Sequence, residues 1–170
     1  MIDITIRMKR LLAMIFVLVF VFSCGGCKGD ESNGSATVED SLILVRSGDA
    51  LTKPYENFLW AETWSEPGWL SVDGTSLSRQ WAAVQQEIPQ ITYGEGFEIL
   101  YRDEVTFVSV SVYTNDFESV YHNEVESVLA ELAEGEYYLV ITVKKQGDYV
   151  EVEDKYEYSG YECAYHMKVE

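Results

Sequence analysis

Tyr161-Glu-Cys163-Ala-Tyr165-His-Met167-Lys-Val169, close to the C-terminus, repeats with a period of two. Successive side chains of a β-strand point to opposite faces, so this period belongs to a strand and not to a helix. Tyr161, Cys163, Tyr165, Met167 and Val169 are expected to face a core, and Glu162, Ala164, His166, Lys168 and Glu170 to face water. The same parity sends Cys163 and His166 to opposite sides. They therefore suit neither a thiol–imidazole pair nor a shared zinc ion.

Upstream, Tyr137 to Val143 is apolar and rich in β-formers, and Gly147-Asp148 is expected to turn the chain. Val105 to Tyr113 places Val108, Val110 and Val112 on one face and Ser109 and Ser111 on the other. Arg102-Asp103-Glu104 joins it to Phe97–Tyr101 in what reads as a hairpin. Leu42 to Arg46 is a further short apolar run, ended by Ser47-Gly48-Asp49. Two stretches follow the helical period instead. Leu77, Trp81, Val84 and Ile88 share a helix face, with Ser78 able to cap and Pro89 to stop the run. From Phe117 to Leu132 the preferred reading is a strand over Phe117–Tyr121 and then a short helical turn, because His122-Asn123 is a poor helix interior. The fold class is thus all-β or mainly β, with one or two short helical insertions.

Leu132-Ala-Glu-Gly135-Glu-Tyr137-Tyr138-Leu-Val-Ile-Thr-Val143 resembles the lead-in to the penultimate strand of immunoglobulin-like and fibronectin-like sandwiches. In those folds a Leu packs under the turn, Gly bends it, and a Tyr hydroxyl bonds back to the corner backbone. Spacing from Leu132 favours Tyr138 for that role, whereas the richer apolar face, with Leu139, Ile141 and Val143, goes with Tyr137. The resemblance implies an immunoglobulin-like antiparallel β-sandwich.

At the other end, Arg7, Lys9 and Arg10 precede twelve consecutive apolar residues, Leu11 to Phe22, and then Ser23-Cys24. Twelve helical residues reach about 18 Å, short of the roughly 30 Å hydrocarbon core, so the segment reads as a signal and not as a span. Val21-Phe22-Ser23-Cys24 resembles a bacterial lipobox, with Phe22 at a position that usually carries a small residue. More loosely, the whole chain resembles small Gram-positive lipoproteins without a known activity. The resemblance implies a signal peptide over 1–23, lipidation at Cys24, and a location on the outer face of the cell membrane. Gly25 to Thr37, small and polar, reads as a tether to a single domain over 38–170.

Twelve basic residues less Arg7, Lys9 and Arg10 leave nine, and 29 acidic residues less Asp3 leave 28, so the exported part carries −19. Phosphate binding needs basic clusters, and nucleic acid is not an expected partner. Solubility and distance from an anionic envelope are the plain meaning of this charge. Cys24, Cys27 and Cys163 make no disulfide framework. Cys163 reads as a small core residue.

Neither G-x-S-x-G, H-E-x-x-H nor a glycine-rich phosphate loop occurs, and His122 and His166 are the two histidines. His166, on the polar face beside Lys168, is expected to be exposed. Asp148, Glu151, Glu153, Asp154, Glu157 and Glu162 lack the spacing of a calcium loop and read as a solvated acidic hairpin. No enzyme activity, metal or cofactor is expected.

The unusual stretch is Phe58-Leu-Trp60-Ala-Glu-Thr-Trp64-Ser-Glu66-Pro-Gly-Trp69-Leu. Trp60 and Trp64 share parity on a strand, and Trp69 follows the Pro67-Gly68 turn, where side chains tend to be exposed. Packing of Trp60 and Trp64 in the core is the plain reading. An aromatic platform of Trp60, Trp64 and Trp69 for a glycan or a protein segment is the functional one. Glu56, Glu62 and Glu66 would then meet sugar hydroxyls or a basic peptide. The sequence is thus read as a lipid-anchored extracellular binding module. An accessory domain of a membrane sensor or transporter is the alternative, and a small cell-wall hydrolase the less favoured one.

Overall fold

The computed structural model describes residues 41–123 and 126–170; Cys24, the signal and the tether lie outside them. Among the described residues the chain is mainly β, built from antiparallel sheets with one α-helix. The strands are β1 (Ile43–Ser47), β2 (Ala50–Thr52), β3 (Tyr55–Ser65), β4 (Gly68–Asp73), β5 (Gln90–Tyr93), β6 (Glu98–Tyr101), β7 (Val105–Tyr113), β8 (Ser119–Asn123), β9 (Gly135–Val150) and β10 (Lys155–Val169). Helix α1 (Leu77–Val84) lies between β4 and β5, and a 3-10 turn spans Glu126–Glu131. The small sheet has the order β2-β1-β6, and the large one β4-β3-β10-β9-β7-β8. β5 pairs with β10 in parallel, where β10 has run past the end of β3.

β10 is the hub of the large sheet, with Cys163 opposite Ile141 and Tyr165 opposite Leu139 on β9. Cys163, Tyr165, Met167 and Val169 are buried with Leu139, Ile141, Val143, Val110 and Val112, as the alternation requires. Ile43 and Val45 of the small sheet close this core from the other side, and the Tyr165 hydroxyl donates to Thr52 O at 3.3 Å. Each such apolar side chain removed from water contributes roughly 1.5–3 kcal/mol.

The opposite face of β9 and β10 is not wet. Ala164, Val140 and Tyr138 form a second core with Leu77, Val84 and Ile88 from α1 and the turn after it. A strand covered on both faces loses its polar alternation. Tyr137 and Tyr138 are therefore both used: Tyr137 packs on the first core and Tyr138 on the second. α1 covers only the first part of the expected Leu77–Ile88 run, ending at Val84 with Ile88 in the turn after it, and it is not capped by Ser78. Its Leu77 N–H donates to Glu162 Oε2 at 2.6 Å, and Asn57 Nδ2 donates to the same oxygen at 2.8 Å. A carboxylate at a helix N-terminus also opposes the positive end of the helix dipole.

Four local expectations are corrected. Arg102-Asp103-Glu104 is no hairpin connection: β6 pairs with β1 in the small sheet, β7 pairs with β8 and β9, and the segment crosses between sheets. Val108 is 46% exposed because a register shift between Phe107 and Ser109 reverses parity, so Phe107, Val110 and Val112 share the core side. Gly147-Asp148 lies inside β9; the chain reverses at Glu151–Glu153, with Asp154 left-handed at φ 50°. Gly147 is opposite Glu157, whose Cβ a methyl at position 147 would meet at 3.1 Å. His166 is half-buried, stacked on Tyr138 with ring centres 4.7 Å apart. For the Phe117–Leu132 stretch, the preferred strand-then-turn order is the one found, with the strand starting at Ser119.

Candidate functional site

The large sheet has a covered part and an uncovered part, and the boundary falls within β3. Tyr55 to Phe58 pair with Ala164 to Tyr161. A bulge then skips Leu59, and Trp60 sits opposite Gly160. Beyond this point Trp60, Glu62 and Trp64 share one face, opposite Asp73, Ser71 and Trp69 of β4. Gly160 is required there, because a Cβ would collide with the Trp60 indole. Glu66-Pro67 is a cis peptide in the tight turn between Ser65 and Gly68 that sets Trp69 directly across from Trp64.

The result is a row of half-buried tryptophans that neither α1 nor the small sheet encloses. Trp64 and Trp69 meet edge to face with centroids 5.8 Å apart. Lys155 Nζ lies 4.4 Å from the Trp69 ring centre and 3.1 Å from Glu62 Oε2. Next in the row, Lys144 Nζ lies 3.5 Å over the Tyr158 ring. The Trp64 N–H donates to Glu157 Oε1 at 2.6 Å, filling a backbone position that β10 leaves unpaired at this end. The tryptophans thus take a middle position between core and free platform: their edges rest on the sheet and on each other, and the rest meets solvent.

The acids noted in the sequence separate by role. Glu56 Oε1 accepts from Leu42 N–H at 2.7 Å, which ties the small sheet to β3, so it is structural. Glu62 is paired with Lys155, and Glu66 is exposed at the turn. In the acidic group near the C-terminus, Glu157 and Glu162 are also taken up by the fold, and Asp154 accepts from the Tyr149 hydroxyl. Among the described residues no group of three His, Cys, Asp or Glu side chains is arranged to hold a metal ion.

Two further polar sites were not foreseen. Ser111 Oγ and His122 Nδ1 are 2.8 Å apart across β7 and β8, but Ser111 is only 6% exposed and presents no hydroxyl to a substrate. Their positions directly opposite each other depend on register, which sequence spacing did not reveal. A cleft of about 490 Å³ is lined by Ser47, Gln90, Thr92, His166, Lys168 and Glu170, among others. Its polar groups are largely occupied with one another: Ser47 Oγ donates to Thr92 O at 2.8 Å, Lys168 pairs with Glu170 at 2.7 Å, and His166 Nδ1 is 3.3 Å from Gln90 Nε2. Cys163 is fully buried, and burial pushes its thiol well above the ordinary range, so no thiolate is available as nucleophile or ligand.

Comparison with known protein families, curated proteins and solved structures returns no match for this chain.

Proposed function

We propose that the protein is a non-enzymatic binding module, lipid-anchored through Cys24 on the outer face of the cell membrane, that holds a partner on the tryptophan-bearing part of its large sheet. The observation that carries this reading is the row Trp60, Trp64 and Trp69 on one uncovered face, across paired strands, while the other large aromatic side chains among the described residues mostly pack against the cores. Aromatic rings held rigidly on strands present contact area at low entropic cost, and they are the usual anchors of binding surfaces. The anchor is supported by the lipobox-like Val21 to Cys24 and the polar segment after it.

The finer fold reading kept with this proposal is an immunoglobulin-like sandwich. Two facing sheets support it, as does a corner in which Leu132 and Tyr137 pack on the same core. Strand order is its departure: β10 lies at the centre of its sheet, whereas the last strand of such sandwiches closes the C-F-G sheet at an edge.

The test is a pull-down from the native envelope with the wild-type chain and with Trp69→Ala, alongside a tryptophan-fluorescence titration with purified wall glycan. Retention of a glycan or protein by the wild type, weakened at least tenfold by Trp69→Ala in a chain that still folds, is the expected result. Equal retention by both chains would sink the proposal. Mass spectrometry addresses the anchor separately: a diacylated N-terminal Cys24 is expected, and an intact Met1 on the exported protein would exclude it.

A further inference from the structure

Among the described residues the two sheets leave five outer edges, and four of them are blunted in the ways natural proteins use against unwanted strand pairing. β5 has four residues, follows Pro89 and has its Thr92 carbonyl taken by the Ser47 hydroxyl. β2 has three residues and is followed by Lys53-Pro54. β6 has four, with Glu98 paired to Arg46 at 2.6 Å. β8 has five, and a register shift disturbs its pairing at Val112/Tyr113. β4 is different. Its six residues, Gly68-Trp-Leu-Ser-Val-Asp73, pair in unbroken register with β3 and contain no Lys, Arg or Pro. Leu70 to Asp73 are all exposed, Leu70 at 53% and Val72 at 52%. Since among the described residues β4 has β3 as its only strand neighbour, its other side carries backbone N–H and C=O groups that no described strand pairs.

We propose that β4 is an open docking edge for an extended, basic segment of a partner protein, which joins the large sheet as an added strand. This rests on the binding-module reading above and names the partner for it. Backbone hydrogen bonds to β4 supply affinity, and alternate side chains select the partner. On one face they meet Leu70 and Val72, which want apolar neighbours; on the other they run beside Trp69, Ser71 and Asp73. Charge decides between occupants. Asp73 and Glu66 are exposed at the two ends of β4, and the chain as a whole carries −17. A second copy would bring the same charge to the same edge, whereas lysine or arginine side chains beside Asp73 and Glu66 are attracted by both.

The experiment uses the full chain in detergent and two synthetic heptapeptides, one alternating valine with lysine and the other valine with glutamate. Amide hydrogen exchange at Leu70–Asp73 and tryptophan fluorescence are the readouts. The lysine peptide is expected to slow exchange of these amides at least tenfold at saturation, the glutamate peptide to leave it unchanged, and 0.5 M salt to weaken the effect. Leu70→Lys and Val72→Lys replace exposed side chains, so both variants should fold with an unchanged Tm while binding the lysine peptide at least tenfold more weakly. Equal binding of both peptides, binding of neither, or undiminished binding to both variants overturns the proposal. Protection that grows with protein concentration without peptide makes the occupant a second copy and also overturns it. If Trp69→Ala weakens retention of an envelope component while Leu70→Lys does not, the aromatic-face reading stands and the docking edge falls. If neither variant changes retention, both fall.

Discussion

β9 and β10 each pass through two environments, and the contrast explains most of the molecule. In one half, Tyr138–Val143 and Cys163–Met167 are covered on both faces, by the small sheet and by α1. In the other, Gln146–Tyr149 and Lys155–Tyr158 extend toward water, and their large side chains are steadied by ring contacts, such as Tyr149 with Tyr156, and by ion pairs such as Lys155 with Glu62. The first half owes its stability to removal of apolar area from water. The second relies on exposed electrostatics and edge-to-face rings, which are individually weak. A binding surface drawn from the second half alters at little cost to the fold.

The sharpest attempt to break this comparison is Cys163→Asp. A carboxylate at this position has no partner, and the loss should be about 4 kcal/mol or more, a large share of the roughly 5–15 kcal/mol by which ordinary domains are stable. Chemical denaturation of the purified variant measures it. In the wild type, a water-soluble thiol reagent should leave Cys163 unlabelled until denaturant is added; rapid labelling of the native chain would show the inner face to be open. Leu139→Ala, a cavity at the centre of the same core, should cost about 3 kcal/mol by denaturant titration.

Trp69→Ala tests the other half. A half-buried ring forfeits only part of the burial term, so a loss of roughly 1–2 kcal/mol is expected, clearly below Leu139→Ala. A loss equal to that of a core residue would erase the distinction between the halves.

Alkaline pH separates them differently. Burial raises the pKa of Cys163 and of Tyr165 above their ordinary values of 9.0 and 10.0. The folded state therefore keeps protons that the unfolded chain gives up. The stability contributed by these two groups is whole below about pH 9 and is lost as pH climbs from there. Tyr165→Phe should cost about 1 kcal/mol at neutral pH, through the lost bond to Thr52 O, yet show a shallower decline above about pH 10. Melts across pH 7–11 check both signs. The smallest effect belongs to Lys155→Ala: with both partners nearly half exposed, the ion pair and the ring contact together should contribute less than about 1 kcal/mol, and less still in 0.5 M salt.

β10 was legible from sequence on its inner side because that side is apolar without exception. Its outer side was misread, since Ala164 is a weak signal and the helix that covers it comes from residues 77–84, about eighty positions earlier. Glu162 shows the same limit. In the sequence it is one acid among many, and in the fold it caps α1. Tyr137 and Tyr138 could not be told apart because the question assumed a single buried face. At the candidate site, parity put Trp60 and Trp64 together, but nothing local indicated that Lys155 would reach Trp69 across β3.

The sequence by itself determined the period-two strands, a helical run beginning at Leu77, the acidic surface and the cluster of tryptophans, because these follow from side-chain spacing along neighbouring residues. Tertiary structure alone decided that Arg102–Glu104 crosses between sheets, that a bulge turns Val108 outward, that Glu162 serves α1, and that β4 is an open edge among the described strands. Each of these depends on which strand lies beside which. That choice is made by burial summed over residues far apart in the chain, and no short stretch of sequence contains it.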